Sequence, residues 1–137
     1  MRMKPTIDVG DAGPILMACK QIAGELGAAV SIAIVDQAGA LLSFERLQGA
    51  KVHTVELAQR KARTAALLSV STAVLEAMAR DGRLQNSEVL ALGGGVPVIH
   101  AGECAGAIGV SGGTSEIDDR IAIAGSKACD AITAPSV

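Results

Sequence analysis

Lys61 is the residue whose position in this sequence most strongly indicates chemistry, because it interrupts the apolar side of a predicted helix. The segment 53–68 has helical periodicity and a polar stripe that Lys61 does not join. The side chains three and four positions away from it are apolar or small: Leu57, Ala58, Thr64 and Ala65. A lysine in such surroundings must extend to solvent, meet a counter-charge or lose its proton. It is therefore either a base or anion anchor, or a lysine at the edge of the stripe whose stem covers apolar surface.

Arg46 and Asp118, from two other segments of the chain, complete a catalytic hypothesis with Lys61. Arg46 would clamp a substrate carboxylate, Lys61 would act as the base or anion anchor, and Asp118 would be its carboxylate partner. The reaction would be a proton transfer in an isomerisation, lyase or hydration step. Such charges are unusual in a chain of which 50% is hydrophobic.

The run Gly112, Gly113, Thr114 and Ser115 connects an apolar strand to the start of a predicted helix. Glycines let a ligand approach backbone N–H groups, and the first turn of a helix attracts anions. These four residues are therefore predicted to bind a ligand, as a cradle for a carboxylate, a phosphate or an oxyanion. The alternative is that the glycines serve a turn and that Ser115 and Asp118 cap the helix.

The sequence has two histidines, His53 and His100, and neither belongs to an H-x-x-x-H or H-E-x-x-H pattern, so no metal site of that kind is predicted. His53 stands where a helix begins, which favours a surface or capping role. His100 ends a strand beside a turn, where it is either exposed at a rim or a lone axial ligand.

Hydrophobic periodicity predicts the elements that position these residues, in the order helix, hairpin, helices, hairpin, helix. The predicted helices are 11–26, 53–68, 72–80 and 115–132, and the predicted strands are 30–35, 41–46, 96–100 and 105–110. Strands joined by short loops pair in antiparallel fashion, and Pro97 requires an edge strand or a first ladder position. We expect an α+β fold in which helices flank an antiparallel sheet, in a single domain over residues 1–137.

The composition argues against several classes of function. A net charge of -2, with one Phe and neither Trp nor Tyr, provides no basic field and little stacking surface for nucleic acid. No uncharged apolar run approaches the roughly 20 residues of a membrane span, so no membrane partner is expected. Cys19, Cys104 and Cys129 are far apart, which predicts reduced thiols and a cytoplasmic protein.

Together these residues resemble the GlcG/HbpS-type family, which is often described as haem-binding and also forms the C-terminal part of some PduO-type proteins. The matching positions span nearly the whole chain: Asp36, Gly39, Arg46, Gly49-Ala50, Ala58, Lys61-Ala62, Thr64-Ala65, Gly94-Gly95-Val96-Pro97, Gly102, Gly106 to Gly112, Asp118, Ala122 and Ala124-Gly125. The resemblance implies a profilin-like antiparallel sheet, assembly into dimers or larger rings, association with catabolic operons or redox sensing, and haem as a cofactor in some members. Haem needs an axial His, Cys, Met or Tyr in an apolar pocket, so the resemblance makes His53 and His100 the candidates for that ligand. Asp36, in the first hairpin, joins the expected ligand-binding residues.

The sequence departs from the family pattern at three positions near the expected pocket. Gln48 replaces an Asp that often follows the hairpin arginine, which changes the charge expected there. His53 stands where a small residue is usual, and Thr54 stands where Ser is common.

Three functions are consistent with these features. The first, which we predict, is a small ligand-binding domain that takes haem or a small anionic metabolite at the glycine-rich pocket and assembles as a homo-oligomer. The second is a small catabolic enzyme that uses Lys61, Asp118 and Arg46. The third is a structural or regulatory subunit whose glycines and alanines serve an oligomer interface.

Overall fold

The computed structural model describes residues 1–83 and 90–133, and its elements follow the predicted order. The helices are α1 (Val9–Leu26), α2 (His53–Leu68), α3 (Thr72–Arg80) and α4 (Ser115–Thr133). The strands are β1 (Ser31–Asp36), β2 (Leu41–Arg46), β3 (Gly95–His100) and β4 (Glu103–Ser111). α1 begins earlier than predicted because Asp8 caps it: its carboxylate accepts the N–H of Asp11 at 3.0 Å, and its own N–H donates to the Asp11 carboxylate at 2.9 Å.

The strands form one antiparallel sheet in the order β2-β1-β4-β3, which confirms the predicted α+β fold class. Each predicted hairpin is present, and the two hairpins join where β1 pairs with β4, from Ser31 opposite Ser111 to Asp36 opposite Gly106. Pro97 lies in β3, at an edge of the sheet, as its missing N–H requires.

Helices cover both faces of the sheet. On one face, α1 and α4 pack against alternate residues of the central strands, including Ile32, Ile34, Ile108 and Val110. On the other face, α2 packs its alanines against Ala33, Val35 and Ala107. Among the described residues, no helix combines the length and the apolar character that a membrane crossing requires.

Gly109 in β4 allows α2 to lie unusually close to the sheet. A Cβ at this position would overlap the carbonyl of Ala58 and stand 2.6 Å from the backbone nitrogen of Ala62. The glycine on the strand and the alanines on the helix therefore bring the backbone of α2 against β4. This close approach places Lys61, on the buried side of α2, within reach of the end of β4.

Candidate functional site

An open groove of about 640 Å³ lies at the end of the sheet where β1 begins and β4 ends. Its walls come from the segments 26–29, 49–54 and 112–117, and we call it the His53 groove. Four residues predicted for the site from separate parts of the sequence line it together: His53, Gly112, Gly113 and Thr114. The rest of the lining is largely apolar or backbone, with Leu26, Ala28 and Ile117 among the apolar side chains.

Thr54 fixes the wall that carries His53. Its hydroxyl lies 2.9 Å from the hydroxyl of Ser31 at the start of β1, and it donates to the carbonyl of Lys51 at 2.6 Å. Both hydroxyl side chains are buried, so they satisfy each other at the floor of the groove. The first turn of α2 is thereby tied to the sheet, with the exposed His53 beside the groove.

Lys61 and Asp118 form a buried ion pair between the two helical layers. The Lys61 Nζ is 3.2 Å from Oδ2 of Asp118 and donates to the Val110 carbonyl at 2.9 Å. The residues are only 3% and 2% exposed, and neither lines the His53 groove. The structure thus brings together Lys61 and Asp118, two of the three predicted catalytic residues. Their charges are directed at each other and not at the groove.

The second oxygen of the Asp118 carboxylate holds the glycine loop. Oδ1 accepts the N–H of Gly113 at 2.8 Å, and the N–H of Gly112 also favours the carboxylate. Burial nevertheless raises the pKa of Asp118, because desolvation outweighs the attraction of the Lys61 ammonium and of these N–H groups. The N–H of Gly113, expected to bind an external anion, therefore points to an anion of the chain itself.

Gly94 makes room for the ion pair. Its φ of +120° is disfavoured for other residues, and a Cβ there would stand 3.0 Å from the Asp118 Cβ and 3.1 Å from the Lys61 Nζ. It would also overlap the Val110 carbonyl that accepts a hydrogen bond from Lys61. The glycine is therefore required because the Lys61 side chain passes close to it on the way to α4.

Arg46 and Asp36, which were also predicted as site residues, do not line the groove. Arg46 donates from Nε to the Ala50 carbonyl at 2.9 Å, which supports the loop that carries Gly49 and Lys51 of the groove. Asp36 accepts the N–H groups of Ala38 and Ala40 at 2.9 and 3.0 Å, within the turn at the opposite end of the sheet.

Ser115 and His100 are also outside the groove lining. Ser115 donates to Oε1 of Glu76 at 2.8 Å, which ties the start of α4 to α3. His100 borders a separate cleft of about 250 Å³ near Ile7 and Ala105. The part of the chain that the structure describes contains no group of three His, Cys, Asp or Glu side chains suited to a metal ion.

Sequence analysis did not assign a role to Lys51, Thr54 or the segment 26–29, although all of them line the groove. For Thr54 a sequence signal existed. It is four positions before Ala58 and seven before Lys61, so it belongs to the same buried stripe of α2 and is a second polar residue on that stripe. For the segment 26–29 there was none, because a turn of small and apolar residues carries no distinctive chemistry.

The chain is similar to several known proteins over most of its length. Residues 7–127 match the family described as "Haem degrading protein HbpS-like". The sequence is 35% identical over 114 residues to protein GlcG of Escherichia coli, covering 81% of this chain and 85% of GlcG. The crystal structure of protein ORFY of Klebsiella pneumoniae has a TM-score of 0.88 at 30% identity, covering 96% of this chain and 95% of that one. A crystal structure of a PduOC:haem complex has a TM-score of 0.82 at 28% identity, covering 90% and 94%.

Proposed function

The chain belongs to the HbpS-like family, and from this premise we propose that it binds haem in the His53 groove with His53 as the axial ligand. The observation that carries the proposal is the position of His53 on the wall of a groove of about 640 Å³ with apolar surfaces. This volume is within the usual range for sites that take organic ligands, about 300–1,000 Å³. A haem site needs an apolar pocket and an imidazole, thiolate, thioether or phenolate donor, and the groove has the pocket and the imidazole.

The surroundings of the two histidines favour His53 over His100. The cleft beside His100 has a volume of about 250 Å³, less than half that of the groove beside His53. A tetrapyrrole is a broad, flat molecule that needs two facing walls. The walls of the groove come from the segments 26–29, 49–54 and 112–117.

Polar groups of the groove would hold the carboxylates of the ligand. The Lys51 ammonium lines the groove and favours a negative charge. Leu26 and Ile117 would exclude water from the ring. Bound haem would supply an iron centre whose reactivity depends on its axial ligand and on the polarity around it.

Titration with haem tests this proposal directly, followed by the Soret band of the complex. We expect the parent protein to bind, His53→Ala to weaken binding by about tenfold or more, and His100→Ala to bind as the parent does. If the parent gives no Soret shift, haem is the wrong ligand. If both variants bind like the parent, His53 is not the axial ligand.

A small carboxylated metabolite is the other occupant that the groove chemistry would accept, and native mass spectrometry of the purified protein distinguishes it from haem. No contact in the described residues favours the enzymatic alternative, because Lys61 and Asp118 are buried against each other and Arg46 supports a loop. The expected cytoplasmic location and homo-oligomeric state also belong to this proposal. Light scattering on the purified protein would determine the oligomeric state.

A further inference from the structure

The glycine wall of the His53 groove is held from behind by one side chain. Gly112 and Gly113 line the groove, and the N–H of Gly113 donates to Oδ1 of Asp118 at 2.8 Å. Gly112 has a φ of +140°, and its backbone packs against the carbonyl of Ala29, which also lines the groove. Two successive glycines have a large conformational freedom to lose, so a fixed wall requires a bond that restrains them.

Asp118 is itself held in a single orientation. Its Oδ2 faces the Lys61 Nζ at 3.2 Å, and that ammonium is anchored to the Val110 carbonyl at 2.9 Å. One carboxylate oxygen is therefore directed to α2 and the end of β4, and the other is directed to the loop. These contacts connect Lys61 through Asp118 to the backbone of Gly113. Both side chains in this connection are buried.

We propose that Asp118 is a positioning residue for binding in the His53 groove: it fixes the Gly112–Gly113 wall through Oδ1, and Lys61 orients it through Oδ2. This inference rests on the proposed function, because it assigns the pair to the groove instead of to a reaction of its own. Without the bond to Asp118, the glycine wall samples conformations that do not fit the ligand. Haem would then bind with an affinity reduced by the fraction of molecules with a formed wall.

Two double variants isolate the contribution of the acceptor oxygen. Lys61→Met with Asp118→Asn removes both buried charges but keeps a side-chain oxygen for the Gly113 N–H. Lys61→Met with Asp118→Leu has a similar volume and no acceptor. Neither leaves a buried charge without its partner, which is the usual reason that single variants of such pairs fail to fold. We expect the Asn variant to bind haem about tenfold more tightly than the Leu variant.

Thr72→Val is the matched control for a loss of stability that does not involve the groove. The Thr72 hydroxyl is also buried and also accepts a glycine N–H, that of Gly95, at 2.8 Å, but it does not line the groove. A purely structural role for Asp118 predicts that haem affinity follows the melting temperature across all three variants. Equal affinities in the Asn and Leu variants, or an equal loss in Thr72→Val, would overturn the proposal.

Amide hydrogen exchange separates the failure of this inference from the failure of the proposed function. If the parent protein does not bind haem, the function is wrong, but the restraint on the wall is still measurable at the Gly112 and Gly113 amides. Exchange at these amides should be faster in the Leu variant than in the Asn variant. Equal exchange in the two variants would show that Asp118 does not hold the wall.

Discussion

The His53 groove and the Lys61–Asp118 pair lie on opposite sides of the same two glycines, and they differ in almost every physical property. The groove is open to solvent, and its charged side chain, Lys51, is exposed. The pair is almost fully buried, and both of its charges are used within the chain. Charge in the groove is available to a ligand, whereas charge in the pair is available only to the protein.

Under the proposed function, the most unusual residue of the sequence is therefore not the one that contacts the ligand. A buried ion pair must satisfy itself because each ion loses its hydration. A ligand site, in contrast, must leave donors and apolar surface unsatisfied until the ligand arrives. Lys61 meets the first requirement, and His53 with its apolar neighbours meets the second. The comparison predicts that substitutions in the pair act mainly on stability and that substitutions in the groove act mainly on binding.

The largest effect is expected from Lys61→Met, which leaves the Asp118 carboxylate buried without its counter-charge. The free energy of unfolding should fall by about 3–5 kcal/mol in urea denaturation. His53→Ala, on the exposed wall of the groove, should change it by no more than about 0.5 kcal/mol. Similar losses of unfolding free energy in Lys61→Met and His53→Ala would contradict the distinction between the pair and the groove.

Gly94→Ala should produce the next largest effect, because it strains the backbone at φ +120° and crowds both members of the pair. The expected loss is about 3 kcal/mol, from conformational strain together with overpacking. Gly24→Ala is the matched control in α1, where the position is exposed and a Cβ would meet nothing within 4 Å. That control should gain about 0.5–1 kcal/mol from helix propensity, so destabilisation by both substitutions would contradict our account of Gly94.

The smallest effect concerns Asp119, which follows Asp118 on α4 and has no basic partner among the described residues. Its Oδ1 is buried without a hydrogen bond, and burial together with the charge of Glu76 raises its pKa from the ordinary value of 3.8. A raised pKa favours the protonated form in the folded protein, so the stability from this group is present at low pH and is lost as the pH rises through the folded-state pKa.

Asp119→Asn imitates the protonated form and should therefore stabilise the protein at neutral pH by about 0.5 kcal/mol, since the site is partly solvated. The gain should disappear below about pH 3.8, where the carboxyl is neutral in both states. Urea denaturation of the parent and of Asp119→Asn, at neutral pH and below about pH 3.8, measures this gain in the free energy of unfolding. A gain that is independent of pH would mean that the charge of Asp119 is not the cause.

The elements of the fold could be predicted because their patterns are local. Short apolar runs bounded by turn residues predicted the strands, helical periodicity predicted α1 to α4, and the short loops predicted the two hairpins. The remaining errors fell at element ends. The start of α1, for example, depends on the reciprocal bonds between Asp8 and Asp11 that periodicity does not contain. Residue type and position also singled out the glycine run and His53, which the structure brings together at the groove, but they did not distinguish His53 from His100.

The sequence by itself determined the family, the antiparallel sheet between helices, and the fact that Lys61 lies on an apolar side of its helix. Only the tertiary structure decided what Lys61 meets there. Its contacts with Val110 and Asp118 join residues that are 49 and 57 positions away along the chain. Such distant pairs depend on how closely α2 packs on β4, and that distance is set by Gly109 and by the groups facing it. Local patterns specify which side of a helix is buried, whereas the partner of a buried charge depends on the packing of the whole chain.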